Sequence, residues 1–306
     1  MDYEIANKKE VERRKKMLQT LPVLALNLGG VIAKWLNLVF GAWNIIIRNT
    51  FKVLTKLPSN IDGISTILKD VNVIFVGVGT SLLVLFFVIG FCQETVDIKE
   101  EMRYDNIVKY LIRLCIAEYF TIHSQTVLMS ILRCCKKFVI VLKSYYGKKE
   151  MASKVKLEIT KADKQVLKDC GFGESILILV VAVIVGVLII ALAAMIWYTA
   201  WSRMLNLLIL IPFGSLAFAT IGGAGEVGRI SSTYLKKFIA VALEGVVIAT
   251  ALIFGTGLMK YATLDFAGSG WTAVIGHLIS ILLQAAILSG TVKSAEYIMK
   301  DMIGVY

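Results

Sequence analysis

The chain reads as an all-α, polytopic transmembrane helical bundle of about six spans with amphipathic N-terminal helices. Three features carry that reading. Apolar residues make up 57% of the 306 positions and charged residues 18%, below the ~25% usual in soluble chains. Several apolar runs reach the ~18–20 residues that cross a ~30 Å hydrocarbon core, and residues 176–194 contain no charge. These runs also lack the alternation of barrel strands, and a helix bonds each backbone group internally, as lipid demands.

From the N-terminus, residues 1–20 are polar and helix-prone, with six basic and four acidic groups ahead of Pro22. Residues 21–47 are apolar but broken by Gly29-Gly30, Lys34, Asn37 and Asn44. The polar lead is long for a signal peptide and no small-residue cleavage site follows. An interfacial or re-entrant helix pair is expected instead, with Trp35 and Trp43 at headgroup depth. Residues 1–70 therefore form a cytoplasmic or interfacial N-terminal region, closed by a basic linker, 48–70, with Pro58 and Gly63.

The first clear span is 71–91. An acidic loop, 92–106, has five acids against two bases. Residues 107–131 are apolar yet hold Lys109, Arg113, Glu118 and His123. Arg113 and Glu118 are too far out of phase to stack on one helix face, so each needs its own partner or a wet cavity. As a span, this segment completes a first membrane hairpin, 71–131. The loop 132–172 carries eleven Lys/Arg and four Asp/Glu. In it, Thr160-Lys161-Ala162-Asp163 is a capping-box pattern for a short helix over 161–169, and Gly171 is its stop. A four-span C-terminal core, 173–292, follows, with spans near 174–198, 204–221, 238–259 and 271–291 and a cytoplasmic tail, 293–306. The second span holds Pro212 at its centre and is expected to be kinked or discontinuous.

Charge sets the orientation, because cytoplasmic loops are enriched in Lys and Arg. Loops 132–172 and 222–237 are basic and are placed in the cytoplasm. If 107–131 crosses, there are six spans with both termini cytoplasmic. If it does not and 21–47 does, the count and the termini are unchanged. The basic linker 48–70 favours the first arrangement. The net charge of +11 is concentrated in one loop and so reads as this orientation signal. The alternative is contact of Arg133, Lys136, Lys137, Lys148 and Lys149 with a polyanion or anionic lipid.

Chemistry-bearing motifs are few. The five cysteines form no C-x-x-C pair and are expected as reduced thiols. His123 and His277 stand apart, so no metal site and no cofactor are expected. No nucleophile–base pair or paired carboxylates point to an enzyme. Gly223-Ala224-Gly225-Glu226-Val227-Gly228 matches G-x-G-x-x-G, but a membrane helix precedes it, and Arg229-Ile230 stands where a phosphate loop carries Lys-Ser/Thr. A flexible turn around Gly222, Gly223, Gly225 and Gly228 fits better. Small residues recur four apart at Ala182/Gly186, Gly245/Ala249, Ala251/Gly255 and Ala286/Gly290, a spacing that allows close helix approach. His277, Gln284 and Thr291 share a face of the last span with Ser280 beside them, a stripe that must face protein or water. Helix-to-helix bonding is preferred there over a pore lining. Glu244 sits about two turns inside its span, where a charge costs ~2.5–3.5 kcal/mol on insertion scales, so it must be paired, protonated or wet.

Nine charged residues occur between 171 and 291, and six of them lie between Arg203 and Glu244. The patch has Arg203 at the head of a span, Pro212 further along it, a Gly/Ser-rich loop, and Ser232-Thr233-Tyr234-Leu235-Lys236-Lys237-Phe238-Ile239-Ala240-Val241-Ala242-Leu243-Glu244-Gly245. This pattern resembles the TrbL-like family, polytopic inner-membrane subunits of type IV secretion and conjugation machines, in the short form found on conjugative elements of Gram-positive bacteria. The resemblance covers about 71–291, since the upstream order of span, acidic loop, half-polar segment and basic loop is also similar. The chain departs at Phe213-Gly214, where a second proline is expected, and at Ile211, where alanine commonly precedes the proline.

The resemblance implies an oligomeric channel or channel-scaffold subunit in a bacterial plasma membrane. It implies work with other secretion subunits, separate ATPases among them, to pass a relaxase-bound single DNA strand or a protein. Arg203, Pro212, the glycine turn, Lys236, Lys237, Glu244 and the His277–Gln284 stripe are then hinge, channel or subunit-interface residues. Two other classes fit the residues alone: a small-molecule or ion permease, and a membrane anchor recruiting cytoplasmic partners through 132–172.

Overall fold

The computed structural model describes residues 2–61, 63–97, 104–147, 163, 165–167, 170–223, 225–258 and 270–304. Lys148 and Lys149 lie outside them, as do most of the short helix expected over 161–169 and the loop 260–269. The protein is all-α, with helices α1 (Asp2–Thr55), α2 (Ile64–Asp97), α3 (Tyr104–Ile122), α4 (Ser124–Gly147), α5 (Phe172–Ala219), α6 (Gly225–Leu258) and α7 (Trp271–Ile303). Single 3-10 turns at Pro58–Asn60 and Thr220–Gly222 join α1 to α2 and α5 to α6.

Among the described residues, five helical stretches are long and apolar enough to cross a bilayer: Leu28–Thr55, Ile64–Cys92, Phe172–Gly222, Gly225–Gly255 and Trp271–Ile303. The protein is a multi-pass membrane protein. Three span expectations change. Residues 21–47 belong to one unbroken helix and supply a candidate span rather than a re-entrant pair. The expected span 107–131 is divided at His123 between α3 and α4, and neither half is apolar enough to qualify. Its physical cause is the charge of Asp105, Lys109, Arg113 and Glu118 within α3's 19 residues.

The third change concerns 174–198 and 204–221, which are one helix. Buried positions on α5 recur at three- and four-residue steps through Ile189, Ala193, Ile196, Ala200, Met204, Leu207 and Ile211. One face thus stays covered straight through Trp201-Ser202-Arg203, and nothing in that register calls for a turn. Pro212 lies inside α5. At 1.5 Å per residue the helix is ~72 Å long, more than twice the ~30 Å hydrocarbon core.

The chain divides into two compact units. The first comprises Met1–Asn49, Lys148–Trp197 and Leu252–Thr291. Its core is built from α1 residues Leu36, Phe40 and Trp43, α5 residues Ile178, Ala182 and Ile189, and α7 residues Leu278, Ala285 and Leu288. Gly186 and Gly255 of the small-residue pairs are real points of approach here, whereas Gly290 of Ala286/Gly290 is exposed with nothing within 4 Å of its Cβ position. A Cβ on Gly186 would fall 2.7 Å from Trp35 Nε1, and one on Gly255 would fall 2.2 Å from Leu288 Cδ1. Trp35 donates to the Ala182 carbonyl at 3.1 Å and Trp43 is fully buried. The two tryptophans are helix-packing residues, not the headgroup anchors expected. The outward face of α5 in this unit carries Leu177, Val180, Ile184 and Val187, all exposed, as befits a face toward acyl chains.

The second unit comprises Thr50–Gly147, Tyr198–Ala251 and Val292–Tyr306. Its core joins Leu128, Met129 and Leu132 of α4 to Leu207, Ile211 and Phe218 of α5 and Phe238 and Ala242 of α6. The α5–α6 hairpin that turns at Thr220–Gly222 is its centrepiece.

Candidate functional site

The charged patch of the sequence becomes a pair of arginine clamps on the α5–α6 hairpin. Arg203 is buried. Its Nε donates to the Val241 carbonyl at 3.0 Å and its Nη2 to the Ala242 carbonyl at 2.9 Å. These carbonyls lie within α6, so the guanidinium is laid against the side of a helix. Only glycine allows that approach, since a Cβ on Gly245 would be 2.3 Å from Arg203 Cζ. Glu244, next in sequence and 5% exposed, feels Arg203 as its main positive neighbour and Lys300 as a lesser one, with Glu296 opposing. Glu244 makes no hydrogen bond or ion pair with the described residues. Lys300 and Glu296 pair with each other along α7 at 2.6 Å.

The second clamp holds the turn. Arg113 of α3 donates through Nε to the Ile221 carbonyl at 2.7 Å and through Nη2 to the Gly223 carbonyl. Gly228 again makes room, as its Cβ would lie 2.9 Å from Arg113 Nη2. Gly222 is buried, with a Cβ position 2.8 Å from Leu83 Cδ1, and Gly225 takes a φ of +56°. The glycine motif therefore offers carbonyl oxygens to a cation. A phosphate cradle offers N–H groups, so the polarity is the reverse of a nucleotide loop. Sequence reasoning left Arg113 without a partner; its signal was that a cation in an apolar segment must find one.

Tyr234 completes the hairpin. Its hydroxyl donates to the Leu210 carbonyl at 2.6 Å, in the turn of α5 around Pro212. Proline has no N–H, so the carbonyl four residues back, that of Leu208, loses its helical donor, and the Tyr234 bond falls two residues beyond it. Pro212 is buried, and Ser215 donates to its carbonyl at 3.1 Å. Where a second proline was expected, Gly214 lets Leu128 Cδ1 approach to 2.5 Å of its Cβ position. Phe213 packs its ring edge-on against Phe75 at 4.9 Å.

The other sequence-selected residues lie elsewhere. Lys236 and Lys237 are exposed on α6, on the same side as Arg229. His277 is in the first unit, where its Nδ1 is 2.6 Å from Asp163 Oδ2. Leu36, Phe40 and Leu167 wall that contact, in a space of about 10 Å³, and a Cβ on Gly29 would meet the Leu167 carbonyl at 2.2 Å. Ser280 is buried, Gln284 half-buried, and Thr291 donates to its own helix at Leu288. The stripe is therefore dispersed over different surroundings. Arg133 and Lys137 are exposed on α4, and Lys136 is half-buried.

No protein-family model, curated protein or solved structure matches this chain. The clamps must be interpreted from their own chemistry. Each ties a guanidinium to two backbone carbonyls, which fixes a helix or turn. Hydrogen bonds to a charged donor contribute ~1.5–3 kcal/mol each, so four of them are a large fraction of a marginal stability. The arrangement sets the relative position of α3, α5 and α6, and it leaves one buried carboxylate, Glu244, beside a cation that has given its Nε and one Nη2 donor to main chain.

Proposed function

We propose that this protein is a channel or channel-scaffold subunit of a conjugative type IV secretion apparatus, seated in a bacterial plasma membrane. It would act with further copies of itself, with other secretion subunits and with separate ATPases to pass a relaxase-bound DNA strand or a protein. One observation carries the reading. Of the residues on which the TrbL-like resemblance rests, Arg203 lies against Gly245 with Glu244 beside it in sequence, and Tyr234 bonds to Leu210 near Pro212, so the pattern's members tie α5 to α6 at two places. The basic linker 148–169 is assigned to the cytoplasmic side. Transfer frequency tests the reading: a donor lacking this gene loses conjugation, and the wild-type gene restores it. Cysteines at Ser232 and Lys237, both exposed, should crosslink to transferring DNA or relaxase. Normal transfer from the deletion donor would end the proposal.

A permease is the second reading, favoured by Glu244 alone. A buried carboxylate without a bonding partner among the described residues is what an ion-coupled transporter uses. Loss of solute uptake on Glu244→Gln, with assembly intact, would move the assignment there. Recruitment of cytoplasmic partners by 132–172 is the anchor alternative, and replacing 148–162 by a neutral linker tests it.

A further inference from the structure

We infer that α4 is an interfacial helix that binds anionic phospholipid headgroups along one side and acyl chains along another. The inference starts from composition: over Ser124–Gly147 the helix has Arg133, Lys136, Lys137 and Lys143 and no Asp or Glu. Burial then divides its circumference into three. Leu128, Leu132, Cys135 and Val139 face the core of the second unit. Cys134, Phe138 and Val141, spaced four and three apart, form an exposed apolar stripe, with Phe138 61% exposed. Arg133 and Lys137 form an exposed basic row immediately beside that stripe.

A helix packed on protein by one side has no reason to present phenylalanine and valine to water on a second. A helix lying in the headgroup plane does, because its apolar side enters the acyl boundary while lysine and arginine reach phosphate. Charge complementarity identifies the occupant, since a purely cationic row beside an apolar stripe matches an anionic lipid, which carries a phosphate and acyl chains in one molecule. A nucleic acid would match the basic row and leave the apolar stripe in water. α4 also directly follows α3, whose charge keeps it from qualifying as a span, so the segment lies along the bilayer rather than through it. This inference needs only that the protein is in a membrane and is independent of the secretion reading.

The test uses the full chain with Cys92, Cys115 and Cys170 changed to Ser. Cys135 is buried, so an environment-sensitive maleimide fluorophore reports from Cys134. The protein is reconstituted in phosphatidylcholine vesicles with and without phosphatidylglycerol. Brominated acyl chains should quench the probe strongly and aqueous iodide weakly. Phosphatidylglycerol should be enriched around the protein, and each of Arg133→Gln and Lys137→Gln should lower that enrichment about fivefold, with the melting temperature unchanged. A probe quenched by iodide and not by bromine would overturn the inference. So would equal lipid selectivity in the Arg133→Gln/Lys137→Gln double variant. If that variant instead loses binding of a single-stranded oligonucleotide while keeping its lipid selectivity, the row serves nucleic acid and the inference fails.

Discussion

Replacing Gly245 by alanine sets two effects against each other, and the structure says which wins. In a helix interior alanine is favoured over glycine by ~1 kcal/mol, so without other contacts the change stabilises α6. At Gly245, however, the new Cβ would lie 2.3 Å from Arg203 Cζ and 2.5 Å from Nη1, well inside contact distance. The guanidinium is the mobile partner and must move. Moving it breaks the bonds to Val241 and Ala242, each worth ~1.5–3 kcal/mol. The loss of ~3–6 kcal/mol outweighs the gain of ~1, so Gly245→Ala should destabilise by ~2–5 kcal/mol. Gly290, exposed on α7 with nothing within 4 Å of its Cβ position, is the control and should be neutral or stabilised when changed to alanine. Melting of the detergent-solubilised protein, followed by size-exclusion recovery after heating, reads both. The mechanism also predicts coupling: once Arg203→Ala has removed the obstacle, Gly245→Ala should cost nothing further. Additive losses in the double variant, or a Gly245→Ala protein as stable as wild type, would refute the clamp.

Other expectations follow from the same geometry. Arg113→Gln should raise amide exchange across residues 220–228 while leaving the far end of α6 protected, because its carbonyl partners are confined to that turn. Tyr234→Phe should cost about 1 kcal/mol, read as a lowered melting temperature, since it removes one hydroxyl bond to Leu210 and leaves the ring against Phe238. Gly29→Leu should lower the melting temperature, because the side chain would occupy the place of the Leu167 carbonyl, 2.2 Å from the Cβ position. At Cys134-Cys135, maleimide should modify the exposed thiol first. Burial raises the Cys135 thiol above its ordinary range, so its thiolate fraction at pH 8 is reduced and its labelling should be slow there and go on rising as the pH is raised further.

Much of the fold was legible before the coordinates. Long uncharged runs can be only helices in lipid, and the small-residue pairs at Ala182/Gly186 and Ala251/Gly255 pointed correctly to close approach. What escaped was continuity. Trp201-Ser202-Arg203 looks like a loop because hydropathy averages over a window and cannot see that Ala200 and Met204 keep the buried face in register. That α3 is no candidate span was legible in retrospect from its four charges. At the candidate site, Arg203, Glu244 and the glycines were visible as anomalies in an apolar block, whereas their partners were not. A backbone carbonyl has no sequence signature, so nothing in the letters indicated that Arg113 and Arg203 bind main-chain carbonyls.

Composition and periodicity alone determined that this is a helical, multi-pass membrane protein with a basic linker, because the transfer cost of backbone and charge depends on residue type and local spacing. Tertiary structure decided which apolar runs are one helix, which face of α4 is left outside, and where Arg113 and Arg203 end. Those outcomes depend on distances between residues remote in sequence, set by packing of one helix face against another, and no local property of the chain contains them.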